Sequence, residues 1–207
     1  MSQHPSTAPQ RIGLLGGSFD PIHCAHLQLA RSACDELALD AVWFIPAGQP
    51  WQRDTLAASP QQRWDMVNLA IAGLPGLRAC DIELKRDGPS YTIDTVRELR
   101  TAHPQTAFTF ILGADQLRNL PTWNGWREIV AQVDLAAARR PGYDDSAPPE
   151  LLAALAAHGH RLHRLDMAEI DLSATRVRER MALGLPLAGL APAAVAHYID
   201  QHRLYQH

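Results

Sequence analysis

Cysteine is scarce. Cys24, Cys34 and Cys80 are too few and too scattered for a disulfide framework, and no C-x-x-C pair offers a structural zinc site. A reducing, cytoplasmic setting is the expectation. An excess of positive charge is also missing: 19 Lys and Arg stand against 22 Asp and Glu, a formal net charge of −3. No global basic field draws in nucleic acid or an anionic membrane surface, so any anion site must be local. Long apolar runs are absent too. Met1 to Gln10 is polar, without the core of a signal peptide, and the uncharged stretch Met181 to Ile199 is broken by Gly184, Pro186, Gly189 and Pro192. There is no internal repeat, charge block or Gly/Ser linker.

What remains is ordinary globular composition, 46% apolar and 20% charged over 207 residues, which suits one domain with a substantial core. Residues 1–10 read as a flexible tail and residues 11–207 as the domain.

Short apolar runs alternate with amphipathic ones. Ile12 to Gly16 reads as a strand, and Ala25 to Leu37 places Leu27, Ala30, Ala33, Cys34 and Leu37 at helical spacing. Ala41 to Ile45 is uniformly apolar, as in a strand buried on both faces. Ser59, Pro60 and Gln62 resemble a capping box, followed by a stripe of Trp64, Val67, Ile71 and Leu74. Leu77 to Leu84 alternates as a strand, and Thr92 could cap a helix carrying Ile93, Val96 and Leu99. Strands are further expected at Ala107 to Leu112, Val133 to Ala138 and Leu162 to Leu165, with helices from about Pro148, from Ser173, and from Pro192 to His202. The order predicts an α/β fold: a Rossmann-like, doubly wound, mostly parallel sheet with helices on both faces, in which ligands collect at the carboxyl ends of the strands.

Two segments carry chemistry. The first, Gly16-Gly17-Ser18-Phe19-Asp20-Pro21-Ile22-His23-Cys24-Ala25-His26, joins the first strand to the first helix. Gly16 and Gly17 allow a ligand close to the backbone, Pro21 stiffens the loop, and His23 and His26 present ring donors beside helix N-terminal amides. It is neither a Walker P-loop nor a G-x-G-x-x-G fingerprint. A metal reading of His23, Cys24 and His26 lacks a third and fourth ligand at suitable spacing. The second segment is Ser173-Ala174-Thr175-Arg176-Val177-Arg178. Ser173 is a natural N-cap, yet Arg176 and Arg178 crowd the positive end of the helix, at a cost of roughly a few tenths of a kcal/mol each. A polyphosphate bound there would reverse that cost. Two separate helix starts equipped for anions suit a nucleoside triphosphate held between them.

The first segment resembles the G-x-F-x-P-x-H-x-x-H signature of the nucleotidyltransferase superfamily, and the second resembles its I-S-S-T-x-x-R signature. Pro89-Ser90-Tyr91-Thr92, Gly113-Ala114-Asp115, Pro121-Thr122-Trp123 and Arg139-Arg140-Pro141-Gly142 are similar to segments of the bacterial nicotinate-nucleotide adenylyltransferases. The resemblance runs from about Arg11 to the C-terminus. It implies transfer of AMP from ATP to nicotinate mononucleotide, giving nicotinate adenine dinucleotide and pyrophosphate in NAD synthesis, with Mg2+ carried by the ATP phosphates and no protein-bound metal. By the same resemblance, His23, His26 and Arg176 act in catalysis, and Gly16, Gly17, Ser18, Phe19, Ser173 and Thr175 join them in binding ATP. Arg178 is a weaker candidate there. Tyr91, Thr92, Asp115, Trp123 and Arg140 would bind the acceptor, with Trp123 stacked on its ring.

Two positions depart from the pattern: Ala25 stands where relatives commonly have Gly, and Trp51-Gln52-Arg53 where they often have a Pro-His-Lys type of run. The rival expectations are nicotinamide mononucleotide or phosphopantetheine as acceptor, a nucleotide-binding module without turnover, and a metalloprotein. Monomer and homo-oligomer both remain open.

Overall fold

The computed structural model describes residues 9–50, 56–138, 147–166 and 172–206. Within them the apolar runs pair as β1 (Arg11–Gly17), β2 (Ala41–Pro46), β3 (Leu77–Ala79), β4 (Ala107–Leu112), β5 (Asp134–Ala138) and β6 (Leu162–Leu165). All five pairings are parallel, in the order β3-β2-β1-β4-β5-β6. This is the doubly wound Rossmann order, in which the chain leaves β1 toward one edge and returns through β4 toward the other.

The connecting helices are α1 (Cys24–Leu37), α2 (Pro60–Ile71), α3 (Thr92–Ala102), α4 (Ala114–Asn119), α5 (Trp126–Val130), α6 (Pro149–Ala157), α7 (Ala174–Ala182) and α8 (Ala193–Gln201), with a 3-10 turn at Leu120–Thr122. Strand side chains alternate between two cores. Leu15, Val42, Phe44, Ile111 and Ala136 meet Ala30 and Ala33 of α1, Met66 and Val67 of α2, Val177 of α7 and Val195 of α8. Ile12, Leu14, Ile45, Phe110, Leu112 and Leu135 meet Val96 of α3, Leu117 of α4, Ile129 of α5 and Leu151 of α6. The α/β sandwich expected from the alternation is therefore present, with helices on both faces.

Three local expectations change. The strand read over Leu77 to Leu84 stops at Ala79. Its one partner, β2, ends at Pro46, which has no N–H, so the ladder closes with Cys80 N–H on Phe44 O (2.8 Å) and the chain turns at Asp81. Thr92 is not a cap but the first residue of α3; Tyr91, extended at φ −97°, occupies the cap position. In α2 the capping box of Ser59 and Gln62 forms as expected, but Arg63, not Trp64, takes the fully buried place beside Met66 and Val67. The helices α4 and α5, too short for a periodic signal, add to the elements expected. Residues 1–8 of the expected tail, the Trp51-Gln52-Arg53 segment and Arg140 lie outside the described residues.

Candidate active site

The winding of the chain reverses between β1 and β4, and the described residues among those singled out in the sequence lie along that carboxyl edge. β1 ends at Gly16–Gly17, and α1 starts seven residues later with His23, itself 5% exposed, as its N-cap. At Gly17 a Cβ would stand 3.2 Å from the Phe19 ring, so glycine is what lets that ring fold back under the loop. Phe19 is buried and left-handed at φ 47°, a conformation that costs a non-glycine residue about 1 kcal/mol or more. Its ring meets His26 edge-on at 5.0 Å and packs on Phe44. Ala25, the departure from the signature, lies within the first turn of α1, where helical backbone accommodates its methyl group.

The two histidines form a stacked pair, ring centroids 3.7 Å apart and planes 24° apart. Two imidazolium rings at that distance would repel. Burial pushes His23 down to about 4, and burial followed by the charge of His23 pushes His26 well below its ordinary value. Both are therefore neutral at pH 7. Nδ1 of His26 accepts the backbone N–H of His23 (3.2 Å), so the ring proton of neutral His26 sits on Nε2, free to donate. Nδ1 of His23 is buried with no hydrogen-bond partner among the described residues.

The second helix start reaches the same loop. Ser173 caps α7 by accepting from Arg176 N–H (3.2 Å), as the sequence predicted. Thr175 and Arg176 are exposed on the first turn. Arg178 turns inward: one guanidinium nitrogen donates to the carbonyl of Asp20 (2.7 Å) and the other to Thr175 Oγ1 (3.2 Å). That contact fastens the α7 N-terminus to the loop that carries His23.

On the other side of the switch, Asp115 is exposed in the first turn of α4, directly after β4. Trp123 is half-buried just past the 3-10 turn, its ring edge-on to Phe110 of β4 at 6.1 Å. Its indole Nε1 is buried and unpartnered among the described residues. Tyr91 and Thr92, both half-buried, begin α3. They are drawn toward the β2 end by a bridge between Pro50 and Ser90 and by Ser90 Oγ, which accepts from Gly48 and Gln49 N–H (3.0 and 3.1 Å).

Three residues beneath the site carried no sequence signal. Arg63, 1% exposed, donates to the carbonyls of Ser18 (2.8 Å) and Gly48 (3.2 Å), tying the loop after β1 to the loop after β2. Asp20, 2% exposed, accepts from Ala57 N–H, Ala58 N–H and the hydroxyl of Tyr205, near the C-terminus. Buried polar groups at an apolar helix position or inside a loop signature are visible only when their partners are.

The sequence pattern of the cytidylyltransferase-like family matches residues 14–180. A probable nicotinate-nucleotide adenylyltransferase of Bordetella petrii is 53% identical over 198 residues, 95% of this chain and 100% of that protein. Another, of Chromobacterium violaceum, is 44% identical across 95% of this chain and 99% of its own length. Among solved structures, the Plasmodium falciparum nicotinic acid mononucleotide adenylyltransferase complexed with NaAD superposes with a TM-score of 0.79 at 17% identity, covering 95% of this chain and 97% of that one. That superposition bears on the fold alone.

Proposed function

This chain belongs to the cytidylyltransferase-like family, and from that premise we propose that it transfers AMP from ATP to nicotinate mononucleotide, releasing pyrophosphate and forming nicotinate adenine dinucleotide, a step of NAD synthesis. The observation that carries the reading is the bond from Arg178 to Asp20. It holds two helix N-termini, one bearing His23 and His26 and the other Thr175 and Arg176, at a single sheet edge where a triphosphate can be gripped from both ends.

The chemistry needs no side-chain nucleophile. An oxygen of the acceptor's 5′-phosphate attacks the α-phosphorus of ATP, the bond from that phosphorus to the α–β bridging oxygen breaks, and the electron pair leaves with pyrophosphate. The attacking oxygen is already anionic, so no base is required. The protein's work is alignment and stabilisation of charge that builds on the α-phosphate and the leaving group. His26 donates from Nε2, and His23 supplies a ring donor beside it; the α1 amides of Cys24 and His26 already serve Leu190 O (2.8 Å) and His23 O (3.0 Å). Gly16 and Gly17 allow the phosphates close to the backbone, and Ser18 and Phe19 shape the loop. Ser173, Thr175, Arg176 and the amides of α7 hold the β- and γ-phosphates.

Magnesium would ride on the nucleotide and neutralise leaving-group charge; the described residues contain no cluster of three or more His, Cys, Asp or Glu able to hold a metal ion. On the acceptor side, Trp123 stacks on the pyridine ring and Tyr91, Thr92 and Asp115 line the pocket; the family resemblance adds Arg140, which lies outside the described residues. We further propose that the domain spans residues 11–207 and works in the cytoplasm with its soluble substrates. No described helix is long and apolar enough to cross a membrane.

Purified protein with ATP and Mg2+ is given nicotinate mononucleotide or its amide in parallel, and pyrophosphate and dinucleotide are followed. Marked preference for the acid supports the assignment. Comparable rates make the enzyme dual in specificity, and no product with either acceptor refutes the reading.

A further inference from the structure

Asp20 joins four segments that are remote in sequence. Its carboxylate accepts Ala57 N–H on Oδ2 (2.9 Å) and Ala58 N–H on Oδ1 (3.0 Å), both just before α2. Oδ1 also accepts the hydroxyl of Tyr205 (2.7 Å), and its backbone carbonyl accepts Arg178 of α7 (2.7 Å). A carboxylate buried this deeply is tolerable only while its donors are in place. Two of its donors are backbone amides of a neighbouring loop, and the third comes from the last turn of the chain.

That third donor is held with some effort. Tyr205 is left-handed at φ 61° and only 6% exposed, its ring packed in the same core as Phe19, Ile22 and Val177. A left-handed tyrosine is disfavoured by about 1 kcal/mol or more, so the ring and the hydroxyl together keep it there. From Asp20 the chain runs through Pro21 and Ile22 straight to His23. On the opposite flank, Arg63 holds Ser18 O by its own buried guanidinium. The loop bearing the histidines is thus clamped at Ser18 from α2 and at Asp20 from the C-terminus and α7.

We propose that Tyr205, acting through Asp20, is a positioning residue for the phosphate-binding loop, so that the C-terminal turn sets the placement of His23 and of the α7 N-terminus during AMP transfer. This rests on the function proposed above. Misplacement of a charge-stabilising group by a fraction of an ångström falls on the transition state more than on ground-state binding, and about 1 Å can cost up to about 10²-fold in rate.

The test is Tyr205→Phe, which keeps the packed ring and removes only the hydroxyl, set against Tyr198→Phe. Tyr198 lies on α8 and donates to Asp65 Oδ2 of α2 (2.9 Å), an equivalent phenol–carboxylate bond that does not touch the loop. Tyr205→Phe is expected to lower kcat about tenfold with the acceptor KM within about twofold, while Tyr198→Phe leaves both within about twofold. A second readout needs no turnover. The His23 imidazole, which burial holds at about 4, should titrate higher in Tyr205→Phe by NMR, as the loosened loop admits water, and should not move in Tyr198→Phe.

Equal behaviour of the two variants, or kcat within about twofold of wild type in Tyr205→Phe, overturns the proposal. If wild type forms no dinucleotide, the functional reading falls, and the His23 titration alone decides this inference: an upward shift supports it and an unmoved one refutes it. Should Tyr205→Phe fail to fold, Asp20→Asn, which alters the acceptor of the same hydroxyl, is put through the same measurements and read by the same criteria.

Discussion

Acidification should unfold the free protein through His23, and the size of the effect follows from where the ring sits. An imidazole that titrates near 6.5 in the unfolded chain is pushed to about 4 in the fold because its cation is denied water. The folded-state value is the lower one, so between the two values the unfolded chain binds the extra proton, and stability falls as pH drops from about 6.5 toward 4. Above about 6.5 the contribution is fully present. At about 1.4 kcal/mol per pH unit, the loss by pH 4.5 is about 2.5 kcal/mol. His26, pushed down by burial and by its stacked neighbour, adds in the same direction. Urea unfolding of wild type and His23→Asn at pH 7 and at pH 4.5 isolates the term, since Asn is polar but does not titrate. Other titratable groups keep the same surroundings in both proteins. They titrate alike in both proteins, so the difference between the two pH slopes belongs to the His23–His26 pair. Wild type should lose about 2 kcal/mol more than the variant over this interval. Identical slopes would refute the burial argument and, with it, the neutral histidine pair.

His23→Ala should cut turnover by about 10² to 10³, the scale for loss of a transition-state charge donor, with a smaller effect on ATP affinity; turnover within about threefold of wild type contradicts the role. Trp123→Ala should raise the acceptor KM by about tenfold while the ATP KM stays within about twofold, because the proposed stack serves only the pyridine ring; equal losses for both substrates would make the residue structural. Gly48→Ala should destabilise the protein by about 1 to 3 kcal/mol, since its Cβ would fall 2.3 Å from the backbone oxygen of Glu83, which has no rotamer by which to retreat. An unchanged melting temperature would show that the two loops are not in such close contact.

The fold could be read in advance because its information is local and periodic. A buried parallel strand such as Ala41 to Ile45 needs apolar residues in succession, and a crossover helix such as α1 needs them every third or fourth position. Both survive without knowledge of the partner. The His23–His26 pair and the Ser173 cap were legible for the same reason, since each device lies within one turn of chain. Arg63 and Asp20 obey a different logic. At position 63 the periodic pattern admits any side chain that can fill the space, and a guanidinium is tolerated there only because Ser18 and Gly48, 45 and 15 residues away, turn carbonyls toward it. Asp20 likewise depends on a hydroxyl 185 residues distant. A buried charge is recognisable by what satisfies it, and those partners are assembled by the sheet order rather than by neighbouring sequence. The residues proposed to touch phosphate can therefore be found by motif, whereas those that hold the motif in shape become visible only after β1, α2, α7 and the C-terminus have met at one edge. This division predicts where further positioning residues lie in the molecule: at buried polar sites joining loops from different crossovers, not within the signatures themselves.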